Sequence, residues 1–358
     1  MQVLVAGGGG YIGVPLCQQL VERGHHVRVV DKGLFPSGIR ALAEISPPVE
    51  LIRADISQLD PRYYEGMDAA VCLSGLSNDP TAQRWPEENR RMNVHATATM
   101  ARQAKHAGIR RFTFASSASV YGFSHKVGLT EDNELEPQSY YAQSKLDAER
   151  ELIPLAGDGF EPVILRQATV SGWSPRMRWD LVVNTMVMWA LLKGKISVHA
   201  GGEARRPLID VQDVAEAHVR FLEVDAPIAG EVFNVAHRRT PHGAESLIGE
   251  GYAIASLALW IAELLNKRGY DVRVVGDWSR SEGRSYDLDS SKMRRVLGWE
   301  PQRGVAAMVD SLLAHDADFF DLETRNINWL TALQEGEHIT QEFGSVLSRG
   351  TDANGKTS

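Results

Sequence analysis

The sequence predicts a doubly wound α/β fold on a parallel sheet, with a smaller, discontinuous α/β lobe, and three observations predict it. Short apolar runs alternate with amphipathic stretches through the first half of the chain. A glycine-rich turn, Gly7 to Gly13, stands between the first apolar run and the first amphipathic stretch. An acid, Asp31, closes the second apolar run.

Taken in order, residues 3–6, 26–30, 49–52, 69–73, 111–115 and 162–165 are apolar and flanked by turn residues, and read as strands. Residues 12–23, 87–106 and 140–155 carry the helical period between them. After Arg166 the regularity breaks at Gly172, Trp173, Pro175, Met177 and Trp179, and a helix pattern follows at 181–192. A strand at 232–235 is expected to rejoin the main sheet. This gives a nucleotide-binding region of residues 1–166 with a return segment at 207–236, and a substrate lobe of 167–206 and 237–330. Residues 237–252 read as a long loop before a helix at 253–265. The polar residues 336–358 read as a tail that cannot bury enough apolar surface to order itself. Trp173, Trp179 and Trp189 could stack on a base or fill core, and core is the favoured reading.

Composition narrows the function. Apolar residues make up 43% and charged residues 23%, an ordinary globular balance. The net charge of -8 and the absence of a Lys/Arg-rich tract argue against nucleic acid as a partner. Anionic ligands must then be held by a few placed arginines rather than by the overall field. Cys17 and Cys72 have no partner at metal-ligand spacing and read as small core residues, so no metal is expected. No apolar run reaches membrane-spanning length and no signal core opens the chain, so the expected location is the cytoplasm.

The glycine turn has a specific chemistry. Gly7 permits the tight turn, Gly10 lets the backbone approach a pyrophosphate, and Gly13 lets helix and strand pack closely; Tyr11 and Ile12 complete the loop. Asp31 can accept both hydroxyls of an adenosine ribose and would repel a 2′-phosphate, which favours NAD over NADP. The cation Lys32 beside it partly offsets that repulsion.

The Gly-x-x-Gly-x-x-Gly spacing resembles that of the extended short-chain dehydrogenase/reductase family, in its nucleotide-sugar epimerase and dehydratase group. Further segments extend the likeness over about residues 1–315. Asp55 and Ile56 match the family's adenine-contacting turn, and Leu73-Ser74-Gly75 matches a Leu-Ala-Ala wall of the cofactor site. Asn93 begins a matching Asn-Val-x segment. Cys72 stands where relatives often carry His. The resemblance implies an NAD cofactor and a homodimer formed through helices at 93–106 and 140–155.

Tyr141 and Lys145 lie one helical turn apart and share a face. A tyrosine ordinarily titrates near ~10, and a neighbouring ammonium together with an oxidised nicotinamide would stabilise its phenolate as a general base. Tyr140 and Tyr121 have no lysine four residues on. The resemblance assigns Ser117 to hold the reacting substrate oxygen, with Ser116 and Ser119 as alternatives. It places Arg206 against a nucleotide diphosphate and Arg284, with Arg280 behind it, as a second phosphate ligand. Residues 167–180 lie where relatives contact sugar and phosphates, with Thr169 in the place of an asparagine found in many galactose epimerases. Relatives that eliminate water carry an Asp-Glu pair after the serine, where this chain has Ala118-Ser119. The implied activity is therefore epimerisation of a UDP-, GDP- or dTDP-linked sugar through a transient ketone. The alternative is an NAD-dependent oxidoreductase of such a sugar with net redox change.

Overall fold

The computed structural model describes residues 1–124, 126–238, 251–276 and 285–316. Strands β1 (Gln2–Ala6), β2 (His26–Asp31), β3 (Glu50–Arg53), β4 (Ala69–Cys72), β5 (Arg111–Ser117) and β6 (Glu161–Gln167) form the main sheet. Three more follow in chain order, β7 (Thr169–Ser171), β8 (Lys195–Val198) and β9 (Arg205–Asp210), before β10 (Val232–Val235) returns to that sheet. Its order is β10-β6-β5-β4-β1-β2-β3, and every pairing in it is parallel. Such strands bury both faces, so their apolar runs are nearly continuous. Alternate residues of β1 divide between two cores: Val3 and Val5 face one side with Cys17, and Leu4 and Ala6 face the other with Cys72.

Helix α1 (Gly13–Glu22) follows β1, and α2 (Pro36–Glu44) follows β2. The stretch expected as one helix at 87–106 is broken. Short α3 (Asp79–Arg84) and α4 (Pro86–Arg90) lead into a π-helical turn, Arg91–Ala96, before α5 (Thr97–His106). Helix α6 (Tyr140–Leu152) packs on the same side of the sheet as α5, through Ala148 and Leu152. The lobe contains α7 (Val182–Lys193), and α8 (Val211–Glu223) packs back on α1 across the sheet through Ala215, Val219 and Leu222.

Two small sheets complete the lobe: β11 (Gly251–Ala253) pairs with β9, which pairs with β7, and β12 (Arg273–Gly276) pairs with β8. Helices α9 (Ile254–Asn266), α10 (Ser291–Leu297) and α11 (Val305–Leu313) follow, and α7, α9 and α11 share an apolar core.

Three expectations need correction. Gly251 and Tyr252 lie in a buried strand rather than a loop, because they pair with Pro207 and Arg206. Residues 207–210 of the expected return segment belong to the small sheet, where Leu208 to Asp210 pair with β7. Trp189 is 38% exposed and covered on one face by Lys193, whose Nζ lies 3.8 Å from the ring centroid. Trp179 is core, and the partly buried Trp173 stacks on His315 at 3.6 Å. Residues 239–250 and the tail at 336–358 lie outside the described residues.

Candidate active site

A cleft of about 520 Å³ opens where β1, β4, β5 and β6 end, and the lobe walls its other side. Its floor is the glycine turn. A Cβ on Gly13 would lie 2.3 Å from the Gly7 carbonyl oxygen, so only glycine lets α1 start this close to β1. No side chain caps the start of α1. Val14 donates to the Gly10 carbonyl at 3.2 Å, Leu16 donates to that of Ile12 at 3.1 Å and Pro15 has no N–H, so the Gly13 N–H at the mouth of the helix is the one left to an anion. Helix α2 presses on the turn from behind, where a Cβ on Gly38 would lie 1.9 Å from the Gly9 carbonyl oxygen.

Asp31 sits at the rim of this floor. It accepts from the Gly9 N–H at 3.0 Å and the Gly33 N–H at 2.8 Å. Burial raises its pKa, and those two donors and the cation of Arg176 oppose the rise. Lys32 turns away to pair with Asp55 at 2.7 Å. Burial disfavours the Asp55 charge, but Lys32 and the Ser57 donors outweigh it and lower the pKa.

Ile56, Leu73, Ser74 and Gly75 line the cleft, as do Gly7, Gly10, Tyr11 and Ile12. Asp55 and Asn93 are not in its wall. Asp55 faces Lys32 and Arg91, while Asn93, wholly buried, accepts from the Leu76 N–H at 2.8 Å and donates to the Leu76 carbonyl at 3.0 Å and to Ser144 Oγ at 3.0 Å. In this structure their polar atoms meet protein groups, and both brace the wall from behind.

At the other end of the cleft, Ser139 caps α6 by accepting from the Ala142 N–H. This sets Tyr141 at the first turn and Lys145 one turn on. The Tyr141 hydroxyl faces Ser117, which lowers its pKa, and both line the cleft. Ser119 donates to Ser117 Oγ with its N–H at 3.2 Å and its hydroxyl at 2.9 Å, which leaves the Ser117 proton for Tyr141 or a ligand. Of the alternatives, Ser116 donates to Glu149 in the buried interior, so its hydroxyl is occupied, and Ser119 serves Ser117.

Burial pushes Tyr141 up to about 12, and the cation that opposes it most is Arg178, followed by the Ser117 hydroxyl. Lys145, expected to be that cation, donates to the Ala115 carbonyl at 2.8 Å and lies 5.8 Å from the Tyr141 ring centroid. Burial lowers Lys145 to about 8. Arg178 is fixed by Asp180, through Nε to Oδ1 at 3.1 Å and Nη2 to Oδ2 at 2.6 Å, and its Nη1 donates to Ser77 Oγ at 3.0 Å.

Thr169 lines the cleft beside Gln167. Arg206 is outside its wall; the guanidinium lies 5.0 Å from the ring centroid of Tyr286, which does line it. Arg284 and Arg280 lie outside the described residues. Phe35, Arg176, Arg178 and Tyr286 also line the cleft, and the sequence motifs did not single them out. The nearest signal was the Arg-Met-Arg run inside the expected ligand-contacting segment 167–180. For Phe35, only its place after the acid that ends β2 pointed to the site.

The sequence model of the NAD dependent epimerase/dehydratase family matches residues 3–236 of the chain. The UDP-glucose 4-epimerase of Lactobacillus helveticus is 28% identical over 325 residues, covering 84% of this chain and 92% of the relative. That of Mycolicibacterium smegmatis is 29% identical over 328 residues, covering 86% and 95%. Among solved structures, the UDP-glucuronic acid 4-epimerase from Bacillus cereus, in complex with UDP-glucuronic acid and NAD, has the same fold. Its TM-score is 0.75 at 24% identity, over 89% of this chain and 100% of the other. An NAD dependent NDP-hexosamine 5,6-dehydratase involved in tunicamycin biosynthesis shares the fold at TM-score 0.73 and 20% identity, over 88% and 99%.

Proposed function

Because the chain belongs to the NAD dependent epimerase/dehydratase family, we propose that it epimerises a nucleotide-activated sugar, with Tyr141 as general base, Ser117 as the hydroxyl that orients the substrate, and Lys145 as their positioning cation. One observation carries the reading: Tyr141, Ser117 and Lys145 line the same cleft as the glycine turn and Asp31. The residues fit a dinucleotide, with an uncapped helix start for the pyrophosphate, a carboxylate for the ribose and an apolar wall at Ile56 and Leu73. When bound, NAD supplies the acceptor and donor of a hydride.

The chain's own groups do the rest. Ser117 donates to the reacting oxygen and holds it beside Tyr141, which takes the hydroxyl proton as the ketone forms and gives it back afterwards. Arg178 stabilises the phenolate while Asp180 holds the guanidinium still. Thr169, Arg206 and Arg284 complete the substrate side of the proposal, with a UDP-sugar favoured because the curated relatives above act on UDP-glucose.

Elimination of water is disfavoured by the carboxylates lining the cleft. Among the described residues these are Asp31, Asp79, Glu88 and Asp180. Asp31 receives two backbone N–H groups, Asp79 accepts from Ser139 at 2.5 Å, and Glu88 and Asp180 are paired with arginines. Each is already engaged, so none is free to protonate a leaving hydroxyl.

We assign residues 1–166 and 211–236 to cofactor binding, and 167–210, whose last strand pairs in the small sheet, with 237–330 to the substrate lobe. A homodimer through α5 and α6 is supported by the 59% exposure of Tyr140 on α6. No described helix is long and apolar enough to cross a membrane. The buried free thiols Cys17 and Cys72 support a cytoplasmic location.

The test is to incubate the purified protein with UDP-, GDP- and dTDP-sugars and a trace of NAD, and to separate the products by chromatography with mass detection. A new peak of unchanged mass establishes epimerisation and names the nucleotide. A two-hydrogen mass change that grows only with stoichiometric cofactor would replace the epimerase with an oxidoreductase.

A further inference from the structure

We infer that Arg176 closes over the pyrophosphate of the bound dinucleotide from the lobe side of the cleft, and so governs how tightly the cofactor is held. The inference rests on the reading of the cleft as an NAD site.

Arg176 is 5% exposed and lines the cleft. Among the described residues its guanidinium makes one hydrogen bond, from Nη1 to the Met177 carbonyl at 3.0 Å, and its buried Nε–H has no acceptor. One face lies on the Phe35 ring, 3.8 Å from the centroid. A guanidinium buried this deeply is costly unless an anion satisfies it.

The protein's own carboxylates do not. Asp31 and Asp180 are near enough to attract it, while Arg178 repels it. Asp31 accepts from the Gly9 and Gly33 N–H groups and Asp180 from Arg178, and neither accepts a hydrogen bond from Arg176. Burial, with Arg178 adding to it, lowers Arg176 to about 9, and a bound anion would reverse that.

Position identifies the anion. Arg176 lines the same cleft as Gly10, Tyr11 and Gly13 and lies on Phe35 just beyond β2. Its charge is felt by Asp31 and Tyr11 on the cofactor side as well as by Arg178 and Asp180 on the lobe side. The cation therefore stands between the lobe and the glycine turn that would hold a diphosphate. The turn itself holds the arginine's loop. The Tyr11 hydroxyl donates to the Gly172 carbonyl at 2.6 Å and accepts from Asn184 Nδ2 at 3.0 Å, and Ser174 Oγ donates to the Tyr11 carbonyl at 2.8 Å. The loop that carries Arg176 is thus anchored to the phosphate floor on which it would close. An epimerase that lets its cofactor go before the ketone is reduced releases a dead-end product, and a clamp of this kind prevents that.

The test is calorimetric titration of the full-length protein, freed of cofactor, with NAD, NADP, ADP and UDP, in wild type, Arg176→Met and Arg176→Lys. Arg176→Met should weaken NAD and ADP by about 10- to 100-fold, the loss of a charge-assisted contact, and leave UDP unchanged. Its melting temperature without cofactor should be no lower than that of wild type, because an unpaired buried charge has gone, while the rise on adding NAD should shrink. Arg176→Lys, which keeps charge but not the planar donor pair, should weaken NAD by a smaller factor, and it decides the question if the Met variant does not fold. NAD affinity within about two-fold of wild type in either folded variant overturns the inference. So does a loss confined to UDP, which would assign the arginine to the substrate diphosphate, or one confined to NADP. Failure of wild type itself to bind NAD would remove the cofactor reading first, and the inference with it.

Discussion

Tyr141 and Lys145 divide one task unequally. In the proposed reaction the tyrosine meets the substrate, whereas the lysine, tied to the Ala115 carbonyl, fixes the end of β5 against α6. Tyr141→Phe should lower kcat by about 10²- to 10⁴-fold and leave NAD affinity unchanged, as measured by turnover and by cofactor titration of one preparation. In the free protein Lys145 loses its charge as pH rises through about 8, so kcat/KM should fall there on the alkaline side, a limb that Lys145→Met should lack. The spacing of these two residues made them legible, since a helix turn is a local fact. Arg178 was not, because its influence on Tyr141 exists only once a segment from the far side of the cleft folds beside it. His218 also escaped notice. Fully buried, it hydrogen-bonds Thr113 at 2.9 Å and Gln167 at 2.8 Å, and burial lowers its pKa to about 3. Between that value and its ordinary ~6.5 the unfolded chain binds the proton and the folded one does not. Stability from this group is complete above about 6.5 and lost as pH falls toward 3, up to about 5 kcal/mol. His218→Gln should flatten that acid limb in denaturant titrations at a series of pH values.

At the scale of elements, the glycine turn is built from two directions. Its own glycines were readable in the sequence, as was the strand before it. The support behind it was not: α2 brings Gly38 against the Gly9 carbonyl, although Pro36 at its first turn marks a helix start. Gly38→Ala leaves the helix propensity better and the turn worse, because the added methyl must displace backbone at 1.9 Å. NAD affinity should drop at least about ten-fold while the melting temperature of the cofactor-free protein changes by only a few degrees; a variant that binds NAD normally would show that α2 can shift freely. The π-helical turn at Arg91–Ala96 was likewise hidden, since apolar periodicity looks almost the same through one widened turn. The widening is where Asn93 reaches the backbone of Leu76, a contact that no i,i+4 pattern encodes.

At the scale of the whole molecule, the parallel sheet was legible because each strand is a short apolar run next to its own helix. The lobe was harder. Its strands β7, β9 and β11 are at most six residues long and come from three separate stretches, so pairing rather than periodicity defines them. The same discontinuity governs how the chain can be made. Strand β6 is paired on one side by β5, but its other side is completed only by β10, after the intervening residues 168–231 have been built. At translation rates of about 5–20 residues per second, that edge stands open for several seconds after β6 leaves the ribosome. An unpaired strand edge can pair with a neighbouring chain, so this interval is when the nascent protein is most exposed to aggregation. Pulse-labelled hydrogen exchange during refolding should find amides of β1 and β4 protected before those of β10, and simultaneous protection would show that the sheet closes in one step. The exposure ends when Val232 to Val235 arrive and pair with Ile164 to Gln167, which closes that edge of the sheet.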